Sequence, residues 1–224
     1  MNKRQKKKNN KQWETGTAKQ RRYNKWLCKR YPFLIPRNVW TDKVAWDKRY
    51  AYTLEDEFPR GWWKSFGLML CEELREELIR CNYLRQFRLE QVKEKYGQLR
   101  VYFNVVPRRC HVSDIISKYS TLSENICIVC GKPDVPITDE GWILPECYDC
   151  YKRRRRKLER FRKTELSSEE DIRQAYEKAK CGDTNMMSNV YKYSQLRDGE
   201  WKNVEIDISD TANKIRARWR NGLR

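Results

Sequence analysis

Cys127-Ile128-Val129-Cys130 and Cys147-Tyr148-Asp149-Cys150 are two Cys-x-x-Cys pairs with 16 residues between them. That spacing matches a structural zinc site. Two residues between cysteines let a tight turn aim both sulfurs at one ion, and a second such turn, returned by a short hairpin, completes a tetrahedron. Gly131 follows the first pair, where a knuckle turn calls for positive φ. Pro133 and Pro136 stiffen the connection, and Trp142, Ile143 and Leu144 predict a short strand leading into the second pair. The competing reading of the same cysteines is two local disulfides or inert thiols. Zn²⁺, one structural ion held by Cys127, Cys130, Cys147 and Cys150, is the expected cofactor.

Working outward, Tyr151 to Lys163 is rich in Arg, Lys, Leu and Glu, and so predicts a helix. Ser167, three residues before Glu170, has the spacing of a capping box for a further helix through Lys180. Val204, Ile206 and Ile208 alternate as a short strand, and Ser209 or Asp210 then caps a final helix, Thr211 to Asn221. Upstream, Ser113 is placed to cap a short helix carrying Ile115, Ile116, Tyr119 and Leu122. Phe87 to Val106 changes to a period of two and predicts a hairpin turning near Gly97, with a helix still open for its charged first arm up to Lys95. Pro59-Arg60-Gly61 opens a helix from Trp62 to Cys81. Its apolar stripe is Trp63, Phe66, Leu70, Leu74, Leu78 and Cys81, which reads as core. Tyr50 to Phe58 reads as a connector, and Tyr31 to Pro36 as an extended segment, because proline disfavours helix at the residue before it.

These elements predict an α+β fold: helix, β-hairpin, helix, four-cysteine knuckle, then a mostly helical basic region. The expected organisation is a disordered basic tail over 1–22, an α+β core over 23–150 with the knuckle at 127–150, and a C-terminal region over 151–224. Trp13 within the tail could stack on a base or dock on the protein body.

The chain has 224 residues, 39% hydrophobic and 36% charged, enough for a modest core. No stretch has the length of a membrane-spanning helix, and the basic N-terminus lacks the apolar segment of a secretory signal. The nine cysteines are therefore expected to be reduced thiols and metal ligands, with Cys71 and Cys81 as small core residues. A cytoplasmic location follows as an expectation.

The net charge of +18 is concentrated: residues 1–25 carry +9 and residues 151–163 carry +8. Two such patches point to a polyanionic partner, while the bland alternative is a solubilising tail and a solvated helix face. The candidate nucleic-acid contacts are Lys152, Arg153, Arg154, Arg155, Arg156, Lys157 and Arg160, with Lys6, Lys7 and Lys8 of the tail and Arg216, Arg218 and Arg220 of the last helix. DNA or RNA with weak sequence preference, or a host nucleoprotein, is the expected partner. Neither a membrane nor a small-molecule substrate is expected.

Pro59-Arg60-Gly61-Trp62, Gln91 through Tyr102, Ser123 through Pro133, and Gly141-Trp142 with Cys147 together resemble a set of small bacterial proteins common in phages and mobile elements. Their shared pattern is a helix after Gly-Trp, a Lys-Glu-Lys-x-Gly-x-Leu-Arg-x-Tyr hairpin, a short helix and a four-cysteine knuckle. The resemblance covers about residues 59–150. It implies a phage setting in a bacterial host and a shared fold, and it brings no activity with it.

An HNH-type nuclease is the nearest enzymatic reading. That chemistry needs a histidine base and metal ligands at the scissile phosphate. The chain's one histidine, His111, precedes both cysteine pairs, and residues 131–146 contain none. Gly-rich phosphate loops and the Gly-x-Ser-x-Gly and His-Glu-x-x-His motifs are absent from the sequence. The expectation is a non-catalytic zinc protein that binds nucleic acid. The alternative is a phage-encoded inhibitor docking on a host protein, such as a nucleic-acid-handling defence enzyme.

Overall fold

The computed structural model describes residues 17–38, 40–44, 50–181, 187, 190–197 and 200–222. Lys6, Lys7, Lys8 and Trp13 lie outside them. The chain forms two compact units interleaved in sequence. One draws on the chain up to Phe58, Met69–Lys93 and Val101–Ile115; the other draws on Pro59–Leu68, Glu94–Arg100 and the chain from Ile116 onward. The architecture is α+β, with helices and three two-stranded sheets among the described residues.

In the first unit, helix α1 (Ala18–Arg30) begins earlier than Tyr23 because Thr17 caps it, its side chain accepting from the Gln20 N–H at 3.1 Å. Helix α1 buries Asn24, Leu27 and Cys28. Pro32–Leu34 is a 3₁₀ turn where an extended segment was expected: Pro32 stands at its first turn, where a fixed φ and a missing N–H cost nothing. The connector holds a second 3₁₀ turn, Leu54–Glu57, with a Thr53–Asp56 capping box. Phe33 packs edge-on against Phe87, which in turn meets Phe103.

The helix expected over Trp62 to Cys81 is interrupted. It runs as α2 (Arg60–Trp62), a π turn (Trp63–Gly67) and α3 (Leu68–Arg80). A Cβ on Gly67 would lie 2.2 Å from the Trp63 ring, so the wide turn needs glycine there. The extra residue shifts the helical phase. Trp62 therefore takes the buried position that a 3.6-residue period assigns to Trp63, while Phe66, Leu70, Leu74, Leu78 and Cys81 are buried as the stripe predicts.

Cys81 is bonded to Cys110 as a disulfide, with their Cα atoms 5.9 Å apart. This corrects the reading of Cys81 as a reduced core thiol. A separation of 29 residues leaves no spacing signal in the sequence.

Strands β1 (Leu89–Lys95) and β2 (Gln98–Phe103) form the predicted hairpin. Its turn residues Tyr96 and Gly97 have φ of 54° and 76°, the left-handed pair that a tight two-residue turn requires. Helix α4 (Val112–Ser123) starts one residue before Ser113. The Ile115 N–H bonds to the His111 carbonyl, so His111 stands at the helix entry and Ser113 lies in the first turn.

In the second unit, β3 (Ile137–Asp139) pairs antiparallel with β4 (Ile143–Pro145), and α5 (Tyr148–Arg162) follows. Helix α6 (Glu169–Ala179) is capped by Ser168 with Asp171, one residue on from the expected Ser167 and Glu170. Ser167 instead donates its hydroxyl to Glu159 at 2.6 Å. A second hairpin, β5 (Val190–Arg197) with β6 (Glu200–Asp207), pairs Val190 with Asp207. The sequence showed only part of its second arm. Helix α7 (Ser209–Arg220) has Ile208 at its cap position, and the Asp207 carboxylate accepts from the Ser209 N–H at 2.8 Å in place of a Ser209 or Asp210 side-chain cap. Among the described residues no helix is long and apolar enough to cross a membrane.

Candidate metal centre and basic surfaces

Cys127, Cys130, Cys147 and Cys150 bring their sulfurs within 4.8 Å of one another. In a tetrathiolate with metal–sulfur bonds of about 2.3 Å, tetrahedral geometry sets the sulfurs about 3.8 Å apart. Cys130 Sγ and Cys147 Sγ stand 3.7 Å apart. The site can therefore hold a metal ion, and among the described residues no other cluster of three or more Cys, His, Asp or Glu gathers in this way.

Each pair is shaped by its backbone. The Gly131 N–H donates to the Cys127 carbonyl at 2.8 Å, and Gly131 has φ of 87°, as the knuckle turn demands. Cys147 stands at the cap of α5, so the free N–H groups and positive end of that helix face the second pair.

Burial and mutual contact move three of the thiols apart in acidity. Donation from the Cys147 thiol, working against burial, draws Cys127 down to about 5. The same hydrogen bond, with burial, pushes Cys147 up, and burial together with the Cys127 charge pushes Cys150 up to about 12. Burial and mutual contact thus oppose ionisation of Cys147 and Cys150. A dication offsets two of the four negative charges that a tetrathiolate would carry.

The knuckle is held from outside. The Gly61 N–H donates to the Ile128 carbonyl at 2.8 Å, Trp62 Nε1 donates to the Ile126 carbonyl at 2.8 Å, and Ser65 Oγ donates to the Gly131 carbonyl at 2.8 Å. Hairpin and helix are joined nearby: the Leu99 N–H donates to Ser123 Oγ at 2.8 Å, and Ser120 Oγ donates to the Leu99 carbonyl. Nothing in the sequence signals that Gly61 and these serines hold the knuckle and hairpin, because their partners are distant in the chain.

The basic run in α5 divides in two. Arg153 donates to Cys150 Sγ at 2.9 Å. Arg154 pairs with Glu146 at 3.0 Å and lies over the Tyr151 ring, 5.1 Å from its centroid. Glu146 is almost completely buried; burial raises its pKa and Arg154 opposes the rise. Arg155 pairs with Glu140 at 3.0 Å, Arg156 with Glu159 at 3.2 Å, and Lys152 with Glu169. Beyond them Lys157, Arg160, Arg162 and Lys163 are exposed and have no side-chain ion pair or hydrogen bond to the described residues.

In α7, Arg216 grips Asp134 through two hydrogen bonds of 2.9 and 3.0 Å, and Arg218 donates to the Lys64 carbonyl at 3.2 Å. Arg220 is exposed and unpaired among the described residues. His111 is exposed, with Nδ1 3.1 Å from the Asp114 carboxylate and its N–H bonded to Glu77. No protein-family model, curated protein or solved structure matches the chain.

Proposed function

We propose that this chain is a non-catalytic zinc protein that binds nucleic acid, working as a phage or mobile-element accessory in the cytoplasm of a bacterial host. Zinc is the ion that four thiolates in tetrahedral array favour. Four protein ligands leave that ion no open position for water, so its part is to fix the knuckle and the start of α5. The observation that carries the nucleic-acid reading is the free distal end of α5. There Lys157, Arg160, Arg162 and Lys163 surround Phe161, which is 85% exposed. Unpaired cations supply phosphate contacts, and an exposed ring offers a face for a base. The phage setting rests on the resemblance of residues 59–150 alone.

The test replaces Lys157, Arg160, Arg162 and Lys163 by Gln in the full chain and measures binding to duplex DNA, single-stranded DNA and RNA across a salt series. Affinity should fall, and the slope of log K against log salt should shrink by about 3 on duplex DNA. A nuclease-treated pull-down from the host runs beside it. A host protein retained after nuclease treatment and lost with this variant, with nucleic-acid affinity unchanged, replaces the reading with that of a protein-docking inhibitor. Incubation with plasmid, single strands and RNA in Mg²⁺, Mn²⁺ or Zn²⁺ should give no cleavage. Cleavage abolished by His111→Ala overturns the non-catalytic assignment.

A further inference from the structure

We infer that the outer face of α1 is a second phosphate-binding surface, formed by Lys19, Arg22, Lys25 and Lys29 around Trp26. This rests on the nucleic-acid reading but concerns residues of the other compact unit.

Helix α1 contains six Lys/Arg and no carboxylate. Its orientation is fixed by what it buries. Asn24, Leu27 and Cys28 point inward, and Asn24 Nδ2 donates to the Tyr50 carbonyl at 2.9 Å. At 100° per residue, that places Lys19, Arg22, Lys25, Trp26 and Lys29 on the opposite side, and all five are exposed. Arg30 is set apart from them by its bidentate pairing with Glu72 at 2.9 and 2.7 Å. Arg21 is half-buried, off this face, and is not free; Lys19, Arg22, Lys25 and Lys29 have no side-chain partner among the described residues. A helix with its cations unpaired on one face and its inner face anchored differs in kind from the proximal half of α5, where each arginine meets a carboxylate or a thiol.

Trp26 supports the same assignment. It is 47% exposed, stacks on Tyr23 at 5.9 Å and meets Tyr31 edge-on at 6.3 Å. The ring is therefore held in place while part of it faces solvent among the lysines. From Lys19 to Lys29 the face runs about 15 Å, and a duplex presents one phosphate charge per about 1.7 Å of axis. Several phosphates lie within reach of four cations on such a length. An anionic membrane is the rival polyanion. Interfacial helices bury a broad apolar face in lipid, whereas the apolar face of α1 is spent on the protein interior and Trp26 is the one large apolar side chain on the outer face.

The experiment is Lys19→Gln, Arg22→Gln, Lys25→Gln and Lys29→Gln together in the full chain. Binding to a 20-base-pair duplex and a single strand is measured across a salt series, with circular dichroism and zinc content as controls. The expected result is a salt slope on the duplex smaller by about 3 to 4, with helicity and zinc unchanged. Trp26→Ala should weaken single strands more than duplex. Unchanged affinity and slope in the quadruple variant, while the α5 variant loses binding, overturns this inference and leaves the nucleic-acid reading standing. No nucleic-acid binding by the wild type removes both. Binding of the wild type to phosphatidylserine vesicles, lost in the quadruple variant with nucleic-acid affinity intact, assigns the face to a membrane and overturns the inference.

Discussion

Gly61 and Ile128 are joined backbone to backbone at 2.8 Å, and a Cβ on Gly61 would lie 2.2 Å from the Cys127 carbonyl oxygen and 2.6 Å from that of Ile128. The start of α2 is thus pressed onto the first cysteine turn with no room for a side chain. That contact explains why Gly61-Trp62 and the cysteine knuckle occur together in one chain: the glycine permits the approach, and the Trp62 indole secures it on the Ile126 carbonyl.

Gly61→Ala should therefore destabilise the protein although it adds a single methyl group. The obstacle is backbone, which cannot rotate away, so we expect a loss of about 2–3 kcal/mol. Thermal melting should show a midpoint lower by about 5–10 °C. A midpoint equal to wild type shows that the contact is looser than described.

Metal removal should act on the same region. One zinc per chain is expected by elemental analysis of protein prepared without chelator, and Cys130→Ser or Cys147→Ser should release it. Hydrogen exchange should then rise over residues 125–152. Fewer than about 0.5 zinc per chain in the wild type counts against the assignment.

Arg154→Gln and Arg160→Gln separate architecture from surface. Removing Arg154 leaves the buried Glu146 carboxylate without its partner, at a cost of about 1–3 kcal/mol, moderated because Arg154 is partly in solvent. Arg160 is exposed and unpaired among the described residues, so its loss should leave the melting temperature within error and weaken nucleic-acid binding alone. Equal stability of the two variants removes the structural role given to Arg154.

Acid should weaken the Glu77 junction. Hydrogen bonds from Arg80 at 2.7 and 2.6 Å, together with one from the His111 N–H, hold the Glu77 carboxyl below the usual carboxylate range despite its burial. A folded pKa depressed below the unfolded value of about 4.3 contributes stability that is complete above that pH and disappears as pH falls through the folded value. The gap in melting temperature between wild type and Glu77→Gln should be constant above about pH 5.5 and close steadily below pH 4. A gap that persists at pH 3 assigns Glu77 a role independent of its charge.

Features that depend on neighbours in the chain were legible in the sequence. Two residues between cysteines suffice to aim two sulfurs together, Gly97 in a run of β-formers suffices for a hairpin, and a 3.6-residue stripe suffices for α3. The π turn escaped because the packing that accompanies it, the Trp63 ring over Gly67, is not something a residue count registers. The start of α1 escaped because one cap, Thr17, outweighed the polar composition around it. Ser167, Ser113 and the entry to α7 each missed by a residue or two, since side chains of equal capping ability stand side by side.

The sequence by itself determined the four cysteines of the candidate metal site, the α+β class and the two concentrations of positive charge, because each is written in short spacing or in composition. Only the tertiary structure decided what the charges and glycines are for. It paired Arg154 with Glu146 and Arg216 with Asp134, joined Cys81 to Cys110, and set Gly61 against Ile128. It also left the outer face of α1 and the far end of α5 unneutralised among the described residues. An arginine run has the same sequence whether or not carboxylates face it. The difference comes from chain segments brought together by folding, and from the cost of burying a charge without a partner.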